Sequence, residues 1–257
     1  MRFFFALFLT NLRASFALRA AFWMSAAFMA LNNVLFFTIW WILFDRFEEI
    51  RGWRVGDMAA LYGIAAFGYG IAAVFTGGLP DLARKIDDGD LDSILTQPKS
   101  VLVQAISSRT RPDGWGDLVS GAALIALSGM LGASTWPFAV LAVALASTMF
   151  VASGVMLHSA AFYVGRIGSL ARQLQDFLLT FAVYPPTLFG GPLKVFLFTV
   201  LPAGLISYLP VEILRSADPT TMATAIAGTV GYALVAWWVF HRGLRRYCSG
   251  NRFGMRY

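Results

Sequence analysis

Charge is what this sequence has least of. Only 13% of its 257 residues are Asp, Glu, Lys or Arg, about half the share of roughly 25% in a soluble domain, while 58% are hydrophobic. Too little polar side chain is present to cover the apolar surface in water, which excludes a soluble globule. Cysteine is nearly absent as well. The one copy, Cys248, lies in a basic tail without an intrachain partner, which excludes a disulfide framework and a thiolate metal cluster and leaves a free thiol. The sequence has no H-E-x-x-H, no G-x-S-x-G and no G-x-x-x-x-G-K-[ST] phosphate loop. The chain therefore has no usual means of binding and hydrolysing ATP by itself, and no enzyme activity or cofactor is expected of it.

What is there is long apolar runs. Five stretches are clear: Ala20 to Phe44, Met58 to Leu79, Leu118 to Leu131 with its flanks, Trp136 to Val164, and Thr220 to Phe240. Several exceed the ~18 residues that mark a spanning helix. Ala20 to Phe44 is also far longer than the roughly 7–15 apolar residues of a signal peptide, so an uncleaved membrane segment is expected. A sixth region, Phe177 to Leu209, is apolar but interrupted by Pro185, Pro186, Gly190, Gly191, Pro192, Lys194 and Pro202. One straight helix does not tolerate this. It reads as a broken helix, or as one span followed by a re-entrant or surface hairpin over Leu193 to Leu209. The fold class is all-α, a polytopic transmembrane bundle of about six spans forming a single domain over 1–257.

Lysine and arginine set the orientation. With a cytoplasmic N-terminus and one net crossing in the broken region, the inner segments hold 15 Lys and Arg residues and the outer ones 5, namely Arg46, Arg51, Arg54, Lys194 and Arg215. This obeys the positive-inside rule and predicts both termini cytoplasmic; a seventh crossing would put the basic tail 242–257 outside. Backbone without regular pairing is tolerated at membrane depth only against protein, so the second half of the broken region is expected to dip into the outer leaflet.

Inside lipid, a charge costs at least about 2.5–3.5 kcal/mol and is kept for function. The clear spans carry Asn32, Asn33, His158 and hydroxyls, with Asp176 at a span edge, and no other ionisable group. His158 reads as a residue bonded to a neighbouring helix. The small-residue pairs Ala59 and Gly63, Ala66 and Gly70, Ala161 and Gly165, and the series Ala223, Ala227, Gly231 read as packing sites. On the outer loop, Asp45, Glu48, Glu49 and Asp57 alternate with arginines and read as a solvated loop.

The loop from Pro80 to Asp117 holds seven acids and five bases, yet has apolar residues at helical spacing. Gly89 permits a tight turn. Asp90 is placed to cap a short helix with Leu91, Ile94 and Leu95 on one side and Pro98 at its end. Such a helix suits docking into a partner's groove, with a turn lying on the membrane as the other reading.

In order, these features resemble ABC-2-type permeases, the membrane subunits of a class of ATP-binding-cassette transporters. The matching parts are the segment MRFFFALFLTNLRASFALR (1–19), two spans, the element GDLDSILTQP, and four further spans with YPPTLFGGP and ISYLP in the penultimate region. The resemblance implies that 1–19 is an amphipathic connecting helix at the inner surface. It implies that Gly89, Leu91, Asp92, Ile94, Leu95 and Pro98, within the loop 80–117, form a coupling helix seated in a separate ATPase that holds the ATP. It also implies short outer-leaflet helices before the last span. Expected partners are ATP-binding-cassette subunits, a second permease (a like copy or a homologue) and membrane lipid, with no nucleic acid. The expected location is the plasma or inner membrane and the expected activity is export; the resemblance allows drugs, lipids and glycans, and the sequence does not specify a substrate. The rival is a self-contained secondary transporter or channel, which intramembrane carboxylates would support. After Pro98 the stretch Lys99 to Asp117 reads as irregular, so the coupling element and the third span meet without a clear boundary.

Overall fold

The computed structural model describes residues 2–191 and 201–248. Among these, every regular element is helical, and the only β pairing is an isolated bridge between Ile50 and Trp53. Four helices are long and apolar enough to cross a bilayer: α2 (Arg19–Arg46), α3 (Val55–Phe75), Trp136–Val164 and Pro219–Leu244. The third of these is made of α8 (Trp136–Ser159) and its one-turn extension α9 (Ala161–Val164). Two helices of 15 residues complete the bundle, α7 (Asp113–Leu127) and α10 (Gly168–Ala182). Each is about 22 Å long at 1.5 Å per residue, short of a ~30 Å hydrocarbon core.

The helix ends gather at two poles. At one pole lie α1 (Arg2–Phe16), whose Phe4 and Phe8 rings rest on Phe75 at the end of α3, and three short helices, α4 (Leu82–Asp87), α5 (Asp92–Leu95) and α6 (Val101–Ile106). The end of the last helix, α12 (Pro219–Leu244), joins them: Phe240 packs on Phe162, and the Tyr163 hydroxyl donates to the Val239 carbonyl at 3.1 Å. At the other pole the turn 47–54 meets the region after α10. Arg51 Nη1 donates to the Thr187 carbonyl at 2.6 Å, and Arg215 of α11 (Leu209–Ser216) meets Asp57 at 2.8 Å. Successive long elements thus run alternately from one pole to the other.

Helix α3 is the axis of the bundle, and glycine makes that possible. A Cβ at Gly63 would lie 2.9 Å from the Gly121 carbonyl of α7, and one at Gly70 would lie 2.8 Å from the Gly114 carbonyl. Gly68 on another side meets Ala146 of α8 at 2.8 Å. Close backbone approach of this kind holds helices together where lipid offers no hydrophobic drive. The expected packing roles of Ala59, Gly63, Ala66 and Gly70 are met here. Gly165 differs: its φ of +69° ends α9 and nothing approaches it. Ala223, Ala227 and Gly231 face outward on α12, so among the described residues this series packs nothing.

Several boundaries move. The third apolar helix starts at Asp113 rather than Leu118, which brings Asp117 inside it, and the stretch expected to be irregular contains α6, N-capped by Ser100. Helix α10 begins nine residues before Phe177, because Ala171, Gln175, Leu178 and Ala182 recur at helical spacing and are buried while Arg172, Gln173 and Asp176 stay outside. The chain then breaks at Pro185, as its prolines require, into a short 3₁₀ turn (Pro186–Leu188) and, further on, a π-turn (Gly204–Tyr208) leading into α11. Residues 193–200 of the expected hairpin, and the basic tail from 249 onward, lie outside the described residues.

Candidate functional site

The pole that carries α4, α5 and α6 is organised by a framework of polar anchors. The Lys85 ammonium donates to the Ala105 carbonyl at 2.6 Å and to Ser108 Oγ at 2.5 Å; burial pushes it below its ordinary value. Arg109 donates to the Gly77 carbonyl at 2.9 Å and pairs with Asp81 at 3.1 Å. Helix α1 is tied to the same frame, since Asn11 Nδ2 donates to the Ser107 carbonyl at 2.7 Å and the Lys99 ammonium sits 5.5 Å over the Phe3 ring. From the α9–α10 side, the Arg166 amide donates to Asp87 at 3.0 Å.

The six residues expected to form the coupling element are brought together here, with different exposures. Gly89 takes φ +80°, the left-handed turn that lets the chain reverse after α4. Leu91 is fully buried, in a cluster with Leu82, Ile86, Ile106, Val155 of α8 and Phe240 of α12. Ile94 packs at the edge of that cluster, Asp92 is half-buried, and Leu95 is 43% exposed next to exposed Pro98. The one-sided apolar face therefore points mostly into the permease, and Leu95 is the large apolar side chain it turns outward. Asp90 does not cap α5: the helix starts at Asp92 with Leu91 at its N-cap position, and Asp90 pairs with Arg84 at 3.6 Å.

A second polar centre lies within the bundle. Asn33 of α2 donates to Asp117 Oδ1 at 2.7 Å and lies 2.8 Å from Ser120 Oγ, while the Tyr62 hydroxyl of α3 donates to Asn33 Oδ1 at 3.3 Å. Asp117 is 4% exposed. Sequence reasoning placed it at the end of a loop and so found no carboxylate among the spans. The run Arg-Pro-Asp-Gly-Trp-Gly-Asp looks like a turn, and its helical continuation rests on a partner 84 positions away. No local signal announced it: Gly116 lets α7 close on α2, since a Cβ there would lie 2.2 Å from the Ala26 carbonyl. His158 is as expected, buried, its Nε2 3.2 Å from Gln175 Oε1 on α10.

At the opposite pole, Asp57 is not solvated as expected. Arg215 meets it through two nitrogens, at 2.9 and 2.8 Å, and stacks 4.2 Å over Trp53. Burial acts to lower the guanidinium, and the hydrogen bond and charge of Asp57 outweigh it, holding Arg215 above its ordinary value. Among the described residues no three His, Cys, Asp or Glu side chains gather as a metal site.

Compared with known proteins, the chain matches no curated protein and no solved structure. The model of the ABC-2 family of transporter proteins matches residues 29–250, which takes in the greater part of α2, all of the other three long apolar helices, the α4–α6 frame and α10. This chain, a multi-pass α-helical membrane protein, belongs to the ABC-2 transporter family as a permease.

Proposed function

We propose that the chain is the membrane subunit of an exporter, driven by a separate ATP-binding-cassette ATPase that docks on the pole formed by α4, α5 and α6. The observation that carries this is the seating of α5. Leu91 on its inner side is fully buried in the cluster that also holds Val155 of α8 and Phe240 of α12, while Leu95 on its outer side is exposed and available to a groove. In this reading a push on Leu95 is relayed through the Leu91 cluster to two long apolar helices, which changes their tilt as the ATPases close. No group of the chain does covalent chemistry in this cycle. In this reading the single permease domain makes six crossings, with one each for α7 and α10, to which the alternation of ends lends support, and with α11 in the outer leaflet. The docking pole, both termini and the tail 242–257 then face the cytoplasm of a plasma or inner membrane, as the 15 to 5 distribution of bases favours. A second permease, alike or homologous, completes the pathway.

The test is co-purification from native membranes. The wild-type chain brings down a polypeptide with a G-x-x-x-x-G-K-[ST] loop; Leu95→Asp loses it by more than a hundredfold in affinity, as expected when an unpaired charge of about 3 kcal/mol is forced into a groove, yet reaches the membrane at normal level. Asp88→Asn on the exposed rim changes little. Normal recovery with Leu95→Asp rejects the docking assignment.

Asp117 favours the rival of a secondary transporter, since it is a buried carboxylate among spanning helices. That reading predicts transport by the purified chain alone in vesicles under an ion gradient without ATP, and the ATPase-driven reading predicts none.

A further inference from the structure

Between α2, α3, α7 and α10 lies a cavity of about 260 Å³. The aromatic side chains of Trp40, Tyr62, Tyr69 and Tyr184 line it together with Asn33 and Asp117. Asp117 is buried, with Oδ1 held by Asn33, and its Oδ2 has no hydrogen-bond partner. Among the described residues it has no ion pair either. Arg111, which donates to the Tyr69 hydroxyl at 3.0 Å, is already matched by Asp113 through its Nε, at 3.2 Å, and a second nitrogen.

We propose that this cavity binds the ammonium head of an amphiphilic organic cation, with its apolar tail running out between the helices. Three features select this chemistry. A buried carboxylate with an unmatched oxygen attracts a cation, and in the low dielectric of the bundle that attraction is strong. Faces of Trp and Tyr attract a cation through their quadrupoles, and tightly so when it is desolvated. The volume suits a trimethylammonium-sized head and is too small for a glycan chain, while an anionic head would meet Asp117. The inference rests on the permease reading above and gives it a substrate class.

Equilibrium binding to the purified full-length chain in lipid nanodiscs tests it. Two probes of one shape are compared, benzyltrimethylammonium and its uncharged carbon isostere, neopentylbenzene. The cation is expected to bind at least tenfold more tightly than the isostere. Asp117→Asn, which keeps an oxygen for Asn33, and Trp40→Leu are each expected to weaken the cation at least tenfold and to leave the isostere within threefold. Equal binding of the two probes, or unchanged cation binding in Asp117→Asn, overturns the proposal. Should Asp117→Asn fail to fold, the probe comparison on the wild type and on Trp40→Leu still decides it. Recovery of the ATPase is measured on the same preparations. Cation selectivity without any ATPase refutes the docking reading and spares this site; an associated ATPase with no cation selectivity does the reverse.

Discussion

The most apolar 18-residue stretches of α2 and α3 have the same mean hydropathy, 1.8, and opposite surroundings. Of the most apolar stretch in each, 11% of residues are buried in α2 and 78% in α3. Hydropathy therefore marks both as membrane helices and says nothing about which sits at the centre. Side-chain size does. Helix α2 contains no glycine, and its Trp23 and Trp41 are exposed while Trp40 turns inward, so it presents bulk to lipid or to a neighbouring subunit. Helix α3 contains no tryptophan and four glycines, Gly56, Gly63, Gly68 and Gly70, so neighbours close on its backbone from two sides. In a bilayer, where burial of apolar surface gives no preference, small residues choose the axis.

The sharpest way to break this contrast is to give the seam bulk. Gly121→Val places a Cβ 2.5 Å from the Phe67 amide nitrogen of α3, a backbone contact that cannot rotate away. The cost is expected to exceed about 4 kcal/mol, leaving no monodisperse protein on size-exclusion chromatography. Gly231→Val on the outward side of α12, where nothing lies within 4 Å, is expected to purify normally. A well-behaved Gly121→Val protein would show that α3 and α7 are not in backbone contact.

The same inside-against-outside contrast holds within one turn of α5. Leu91→Ala is expected to cost about 3 kcal/mol, the usual range for emptying a buried leucine site, whereas Leu95→Ala stays within about 0.5 kcal/mol in the isolated chain. Thermal unfolding in nanodiscs reads both. Equal effects would place Leu91 at the surface and remove the link from α5 to α8 and α12.

At the outer pole the clamp from α11 to the start of α3 is expected to contribute less. Arg215→Gln keeps one donor and loses the two-point contact with Asp57, a loss of about 2 kcal/mol for charged hydrogen bonds that are largely sheltered. A double-mutant cycle with Asp57→Asn isolates the pair, and a coupling near zero would mean that the clamp does not bear load.

The smallest effect belongs to Asp218, the N-cap of α12. It accepts from the Thr221 amide at 2.8 Å and from the Thr220 and Thr221 hydroxyls, and these bonds hold its carboxyl down at about 2. A carboxyl lowered by folding stabilises the fold above the unfolded value, near 4, and that contribution fades as pH falls through about 2. Asp218→Ala is expected to lower the melting temperature slightly at pH 7 and to unfold at the same temperature as the wild type near pH 2. A difference that persists at pH 2 would assign the effect to something other than the cap.

The long spans were legible because apolar length is a local property, and the break after α10 because proline is local too. Two features were not. Helix α7 opens with Asp113, Gly114, Gly116 and Asp117, the composition of a turn, and becomes a helix because Gly116 fits against Ala26 and Asp117 finds Asn33, contacts that no stretch of sequence contains. Helix α10 is amphipathic, so averaging its polarity hides the buried face that Ala171, Gln175, Leu178 and Ala182 spell out at a period of 3.6. In the expected coupling element the turn at Gly89 was readable, but not the inward orientation of Leu91, whose cluster draws on residues as far along the chain as Phe240.

The central claim is that an ATPase sits on the outward side of α5. A photoreactive benzoylphenylalanine installed at Leu95, irradiated in native membranes, tests it at a single residue. The account predicts one cross-linked polypeptide whose peptides include a G-x-x-x-x-G-K-[ST] loop, and none from the same probe at Trp136 on the opposite pole. Cross-links from Leu95 that contain only lipid or a second copy of this chain would contradict it.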